Sequence, residues 1–141
     1  MGSVEFKNGR TFVIRVAHNS ELVRSITDFV KEKEIEKGFF TAIGALKNAK
    51  LAYYEQQKHE YTTLALENPH EIASCIGNVS LREGEPFVHA HIVLADKDGS
   101  TRAGHLLEGT VFAAEVHLQE LIGPKLVREP DEITGLSLWK I

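Results

Sequence analysis

Apolar residues recur along the chain with two different periods, and the change of period separates one helix from a series of strands. Within residues 19–38 the apolar positions fall on one side of a helix: Leu22, Ile26, Phe29 and Val30. Asn19 or Ser20 is the predicted N-cap of this helix, and Gly38 is its predicted end.

The rest of the chain predicts strands. The stretch FKNGRTFVIRV alternates about Asn8-Gly9, which predicts a hairpin or a turn feeding a strand over residues 11–16. From Phe39 onward, turn residues separate short extended segments: FFTAIGAL, AKLAYYE, YTTLALE, EIASCIGNVSL, FVHAHIVLA, a segment after Asp98-Gly99, TVFAAEVHL and finally LSLWKI. LQELIG is predicted to be a helical turn, and PKLVREPDEITG an irregular link. Together these elements predict an α+β fold, an antiparallel sheet with a helix packed on one face.

Composition narrows the class of protein. A chain of 141 residues is about one domain long, so we expect a single domain over residues 1–141. The formal net charge is −4 and the Lys and Arg residues are scattered, which argues against long-range attraction to DNA. Cys75 is the only cysteine, which excludes an intramolecular disulfide and favours a reducing, cytoplasmic setting. No apolar run approaches membrane-spanning length, so no membrane partner is expected.

Histidine is concentrated in the stretch PFVHAHIVLADKDGSTRAGHLLEG, residues 86–109. Side chains two apart on a strand project from the same face, so His89 and His91 point together. The opposite face is uniformly apolar and is expected to pack on the core: Val88, Ala90, Ile92 and Leu94. Two convergent imidazoles are a good start for a zinc site, and His105 is the nearest third candidate ligand. The competing interpretation is that these are surface histidines on an exposed sheet face.

Whether His105 reaches the other two depends on the length of the intervening loop. A two-residue turn at Asp98-Gly99 would place His105 across from Ile92, on the wrong face. A three-residue loop pairing Asp96 with Ser100 would place it directly opposite His91. A bulge at Gly104 would have a similar result. The residues alone leave both registers open.

Other polar residues of these strands are weaker candidates. Glu108, Glu115 and His117 could act as a general base or support the site, although each residue type is more often found at a solvated surface. Cys75 lies within ASCIG and is interpreted as a small buried hydrophobe.

The chain resembles the plants-and-prokaryotes-conserved domain in its stand-alone prokaryotic form. The resemblance covers nearly the whole sequence and is carried by four stretches: FFTAIGALKNAKLAYY, HEIASCIGNVS, PFVHAHIVLADKDGSTRAGHLLEG and TVFAAEVHL. It implies an α+β unit with a twisted antiparallel sheet, assembled as a homotrimer. Prokaryotic members carry HxH followed by Gly-His, matched here by His89, His91, Gly104 and His105, which implies a metal site with these three histidines as ligands. Zinc or another divalent transition metal is the implied cofactor.

The resemblance also bears on partners. In plant members this domain follows AT-hook segments that bind the minor groove, and the family is often described as DNA-binding. The AT-hook core Arg-Gly-Arg-Pro occurs nowhere in this chain, and a Lys/Arg cluster that would bind phosphate is missing. Plant members use a stretch that matches His70, Glu71, Ile72, Ala73 and Ser74 for assembly with partners, so residues 70–80 are expected to contact other proteins.

Three hypotheses of different classes follow. The first is a homotrimeric regulatory or interaction module, associated with DNA-binding through its family and carrying the three-histidine metal site. The second is a metal-dependent enzyme acting on a small molecule, in which metal-bound water has its pKa lowered to about 7 and Glu108 or Glu115 accepts a proton. The third is a purely structural trimer whose histidines bind no metal.

Overall fold

The computed structural model describes residues 2–141. They form one helix and eight strands, in the order β1 (Lys7–Val16), α1 (Leu22–Glu32), β2 (Gly38–Glu55), β3 (Glu60–Leu66), β4 (His70–Arg82), β5 (Glu85–Ala95), β6 (Thr101–Ile122), β7 (Val127–Pro130) and β8 (Ser137–Trp139). All eight strands belong to one twisted sheet, so the α+β class with a single sheet and one helix is confirmed.

Four strands of this sheet close on themselves. β2 pairs with β6 along one edge and with β4 along the other, and β5 joins β4 to β6. β1 pairs with the second half of β6. β3 pairs with residues 49–55 of β2, which follow the part of β2 that pairs with β4. Closure gives the sheet an inner face, where side chains pack on one another, and an exposed outer face.

One contiguous core fills the inner face. Alternate residues of the ring strands are almost completely buried there: Phe40, Leu46, Val79, Ile92, Leu94, Val111 and Leu118. The helix joins this core through Leu22, Ile26 and Val30, which are among the positions that the helical spacing predicted. Burial of these side chains contributes on the order of 1.5–3 kcal/mol each.

The ends of the helix differ from the prediction. Glu21 is the N-cap, because its carboxylate accepts hydrogen bonds from the backbone N–H groups of Val23 and Arg24. The same carboxylate accepts a third bond, from the N–H of Gly109 on β6, which a sequence-local capping rule does not foresee. The helix ends at Glu32 instead of reaching 38, since Glu34 adopts a left-handed conformation at φ 55° and residue 38 already begins β2.

Several predicted breaks in the strands do not exist. FFTAIGAL and AKLAYYE belong to the single strand β2, and the two segments after the histidine hairpin belong to β6. Asn8-Gly9 is not a turn, because Lys7 and Asn8 pair with the far end of β6 and the irregularity is a bulge between Asn8 and Thr11. LQELIG is not helical, since Leu118 to Ile122 continue β6 between β1 and β2.

The sheet is mixed and not purely antiparallel as predicted. β7, which lies inside the link predicted to be irregular, pairs in parallel with the end of β4 through Leu81–Val127 and Arg82–Arg128. β8 then pairs antiparallel with β7. The C-terminal segment thereby returns to β4, the strand that pairs with β5 of the histidine hairpin. Among residues 2–141, no helix is long and apolar enough to cross a membrane.

Gly44 shows how closely β2 and β6 approach. It has φ 135°, and a Cβ added there would lie 2.1 Å from the carbonyl oxygen of Ala113. We predict that Gly44→Ala lowers the free energy of unfolding by about 3 kcal/mol or more, combining backbone strain with overpacking. The matched control is Gly84→Ala in the β4–β5 turn, where φ is 83° and no atom lies within 4 Å of the added Cβ. The Gly84→Ala substitution should lower the free energy of unfolding by only about 1 kcal/mol. Urea unfolding of both variants measures the difference, and equal losses would contradict the close approach.

Candidate metal centre

Two neighbouring strands position the three histidines. His89 and His91 lie on β5, and His105 lies on β6. The residues that alternate with the β5 pair are buried in the core, as predicted: Val88, Ala90, Ile92 and Leu94. The imidazoles of His89 and His91 therefore project from the outer face of the sheet.

The hairpin between β5 and β6 has the three-residue loop, Lys97 to Gly99. The Asp96 N–H donates to the Ser100 carbonyl at 3.0 Å, and the pairing that follows places His105 directly opposite His91. The Asp96 carboxylate stabilises the loop by accepting the N–H groups of Asp98 and Ser100, each at 2.9 Å. The two-residue register is therefore excluded, and no bulge at Gly104 is needed.

The three rings form a compact triangle. Their centroids are 5.0 Å apart for His89 and His91, 4.9 Å for His89 and His105, and 5.6 Å for His91 and His105. One ring nitrogen from each residue lies within 4.8 Å of the others. Three nitrogens bound tetrahedrally to zinc at about 2.05 Å would be about 3.3 Å apart, so small side-chain rotations close the remaining difference.

The donor set fits a divalent transition metal. Three imidazoles with one position left for another ligand match catalytic zinc sites, and imidazole also suits copper, iron and nickel. The cluster contains no carboxylate and no thiol. A metal held here would therefore keep its full positive charge, because all three ligands are neutral.

Electrostatics keeps two of the imidazoles neutral. Burial lowers the pKa of His89 most, and together with the charges of His105, Arg128 and His91 it brings this pKa to about 4. The pKa of His105 is also lowered, mainly by burial and then by His91 and Arg128. Neutral imidazole is the form that ligates a metal, so His89 and His105 need not release a proton at neutral pH.

Aromatic and cationic side chains surround the triangle. The ring of Phe87 stacks on His89 with centroids 6.4 Å apart, and Tyr61 from β3 lies 6.2 Å from the ring of His105. Nη2 of Arg128 lies 3.3 Å from Nδ1 of His89. None of these three neighbours was among the candidate residues predicted from the sequence. The two-residue alternation of β5 could have found Phe87, whereas Arg128 and Tyr61 reach the site only through strand pairing.

The carboxylates predicted to assist are not part of this cluster. Glu108 is exposed and lies opposite Lys50 on β2. Glu115 and His117 are also exposed and lie ten and twelve residues beyond His105 on β6, opposite β1. Pairing through Thr41 and Ile76 places His117 three strand spacings from His91, roughly 14 Å away, and neither Glu115 nor His117 belongs to the cluster.

Cys75 is buried, as predicted for a small hydrophobe. Its side chain belongs to the core cluster, and burial raises the pKa of the thiol to about 11. The thiol is therefore protonated and unreactive at neutral pH.

Comparison with known proteins agrees with this fold. The family model described as the Plants and Prokaryotes Conserved (PCC) domain matches residues 3–122. The match covers most of the chain, and the protein belongs to this family. A plant- and prokaryote-conserved (PPC) protein from Pyrococcus horikoshii is 45% identical, with coverage of 100% of this chain and 98% of that one and a TM-score of 0.95.

A second solved structure, of a metal-containing protein from Archaeoglobus fulgidus, is 43% identical over 99% of both chains, with a TM-score of 0.95. Among curated proteins, the bifunctional protein GlmU of Synechococcus sp. strain JA-3-3Ab is 28% identical over 129 residues. That match covers 89% of this chain but 20% of GlmU, so the chain spans about a fifth of the length of this curated relative.

The lowered pKa of His89 predicts a pH-dependent stability for the metal-free protein. Unfolded histidine has a pKa of about 6.5, against about 4 in the fold, so the unfolded state binds more protons between these values. The free energy of unfolding should therefore fall as the pH decreases from about 6.5 to 4. After allowance for partial exposure, the loss assigned to this residue is on the order of 1–2 kcal/mol.

Urea unfolding with a chelator present, at pH 7 and at pH 4.5, measures this loss in the wild type and in His89→Gln. The variant lacks the titrating imidazole, so its own stability should not show this loss. The amount by which the variant is less stable than the wild type at pH 7 should therefore shrink by about 1–2 kcal/mol at pH 4.5. A difference that stays constant between the two pH values would contradict a buried neutral His89.

Proposed function

We propose that this protein is a homotrimeric, metal-binding interaction module that acts as a single domain over residues 1–141. His89, His91 and His105 hold zinc or another divalent transition metal. The observation that carries the proposal is the pairing of His91 with His105 across the β5–β6 hairpin, which brings a ring nitrogen of each of the three histidines within 4.8 Å.

Two further observations support a metal. The relative from Archaeoglobus fulgidus, 43% identical over almost the whole chain, is described as metal-containing. In addition, three imidazoles that converge without a carboxylate partner are costly to protonate together, because the positive charges would repel one another in a half-buried site. A metal uses the same neutral nitrogens without that cost.

The outer face of the sheet supports assembly. Cross-strand pairing places Val13, His117, Thr41, Ile76 and His91 in one continuous row. Beside this row, Phe39 and Ile43 are also exposed on the same face. Four apolar side chains of this face are exposed: Val13 by 83%, Phe39 by 47%, Ile43 by 58% and Ile76 by 62%. Apolar side chains this exposed and this close together are typical of a subunit interface.

The regulatory role of the module lies in its contacts with other proteins. Residues 70–80 form most of β4. The first residues of this stretch line a surface cavity with a volume of about 350 Å³. His70, Glu71 and the exposed Phe112 line this cavity together with the β5–β6 loop. Direct binding to DNA is not expected, because the net charge is −4 and phosphate contacts need clustered cations. Any association with DNA would then depend on another protein.

The open ligand position favours a second candidate, a metal-dependent enzyme acting on a small molecule. A bound zinc ion would supply a water whose pKa is about 7. The chain would supply the neutral imidazoles that hold it and the aromatic rings of Phe87 and Tyr61 beside it. No carboxylate lies in the cluster to accept a proton, so this candidate ranks second.

Metal content tests the proposal. Untagged protein should contain close to one divalent metal ion per chain, measured by elemental analysis after exhaustive dialysis and after zinc loading. His89→Ala should lose it, because two imidazoles do not complete a zinc site. The control is His117→Ala, which removes an exposed histidine from the same outer face of the sheet. A wild-type protein that takes up no zinc, or a His89→Ala variant that keeps it, would refute the metal centre.

Sedimentation equilibrium tests the assembly. The wild type should behave as three chains of 15.7 kDa at micromolar concentration. Val13→Glu and Ile43→Glu should shift it to the monomer, because each would bury an uncompensated charge in the interface. Ile133→Glu is the control, since this isoleucine is 85% exposed but lies in the loop between β7 and β8. A wild-type monomer, or equal effects of all three variants, would contradict the proposed interface.

A further inference from the structure

Arg128 is the positive charge closest to the histidine triangle, and the structure holds it there firmly. β7 runs beside the end of β4, so the guanidinium extends over the outer face of the sheet. Its Nε donates to Ser80 Oγ at 2.9 Å, Nη1 donates to the Ser137 carbonyl at 2.9 Å, and Nη2 donates to Asn78 Oδ1 at 3.0 Å. The same Nη2 lies 3.3 Å from Nδ1 of His89.

No counter-charge accompanies this cation. Within residues 2–141 every ion pair joins other residues, and Arg128 takes part in none of them. Its acceptors are a hydroxyl, an amide, a carbonyl and an imidazole, which are all neutral. A second cation, Arg82, stacks on Phe87 with Cζ 3.7 Å from the ring centroid, and Arg128 Cζ lies 5.7 Å from the same centroid. Positive charge is therefore concentrated beside a site whose ligands are neutral.

Hydrogen-bond donors are also in excess here. Arg128 has five N–H groups, and the four contacts above leave one hydrogen on Nη1. Trp139, whose ring lies 5.3 Å from Arg128 Cζ, has a buried indole N–H that has no acceptor in the described part of the chain. Both groups can only donate, so what this corner of the site lacks is an acceptor.

Metal binding would release one more donor. The contact with Arg128 requires Nδ1 of His89 to accept, because a guanidinium cannot accept a hydrogen bond. A histidine that ligates through its other nitrogen carries the proton on Nδ1 and donates from it. Nδ1 would then no longer accept a hydrogen bond from Arg128. It would instead donate to a neighbouring acceptor, for which Asn78 Oδ1 on the paired strand is available. The Nη2 hydrogen freed in this way lies beside His89, in addition to the unused hydrogen on Nη1.

We propose that the open position beside His89, His91 and His105 binds the carboxylate group of a small molecule, and that Arg128 is the residue that positions this anion. The inference rests on the proposed metal centre. One carboxylate oxygen would complete the ligand set and the other would accept a hydrogen bond from Arg128, so that one anionic group offsets part of the positive charge of both. A monoanion with two oxygens matches the one or two available N–H groups. A phosphate carries more acceptor oxygens than these one or two donors satisfy.

The cobalt-loaded protein allows a direct test, because tetrahedral Co²⁺ absorbs visible light and Trp139 is the only tryptophan of the chain. Acetate titrated into the loaded wild type should change the cobalt bands and the Trp139 fluorescence with the same dissociation constant. Inorganic phosphate should bind more weakly. Arg128→Gln should weaken acetate binding about tenfold or more while cobalt is still taken up, as expected for the loss of a charge-assisted hydrogen bond.

Matched variants separate this effect from net charge and from folding. Arg24→Gln removes one positive charge from an exposed position of α1 and should leave acetate binding unchanged. If Arg128→Gln does not fold, Arg82→Gln replaces it, since Arg82 is exposed and should weaken acetate binding about two- to threefold relative to Arg24→Gln.

The outcomes distinguish the two proposals. Failure to bind cobalt overturns the metal centre and this inference with it. Cobalt uptake without any response to acetate overturns the inference alone, and so does equal acetate affinity in wild type and Arg128→Gln. Tighter binding of phosphate than of acetate overturns the assignment to a carboxylate.

Discussion

The two-residue period of a β-strand ties the histidine cluster to the length of one loop. Three residues, Lys97 to Gly99, separate the paired ends of β5 and β6, and the Asp96 carboxylate fixes the loop by accepting the N–H groups of Asp98 and Ser100. A loop one residue shorter would shift the register by one and turn His105 towards the core. The proposed metal centre therefore depends on a hydrogen-bonded turn that contains none of its ligands.

Closure of the sheet decides what lies beside this centre. Because β2 pairs with both β4 and β6, the row that contains His91 continues through Ile76 and Thr41 to His117 and β1. The histidines and the exposed apolar side chains consequently share one outer face. Assembly through this face would bring a neighbouring chain close to the metal centre, which physically links the proposed trimer to the proposed ligand site.

The C-terminal segment places a positive charge beside the histidine triangle. It returns as β7 in parallel with β4 and holds Arg128 by hydrogen bonds to Ser80, Asn78 and Ser137. These neutral contacts fix the guanidinium without neutralising it, so its charge acts on the site. Three neutral ligands, an uncompensated cation and a buried indole donor favour an anionic ligand over a neutral one.

Local patterns in the sequence determined the helical core positions, the class of fold and the common orientation of His89 and His91, because helix and strand periods act over a few residues. They could not determine that β2 and β6 each run unbroken through predicted breaks, that Asn8-Gly9 lies in a bulge, or that Glu21 caps the helix while also binding Gly109. They offered two registers for His105 and gave no sign of Arg128, which stands 39 residues from His89 in the chain. Each of these features depends on which distant strands pair, and pairing is decided by burial and hydrogen bonding over the whole sheet, which no short window of sequence contains.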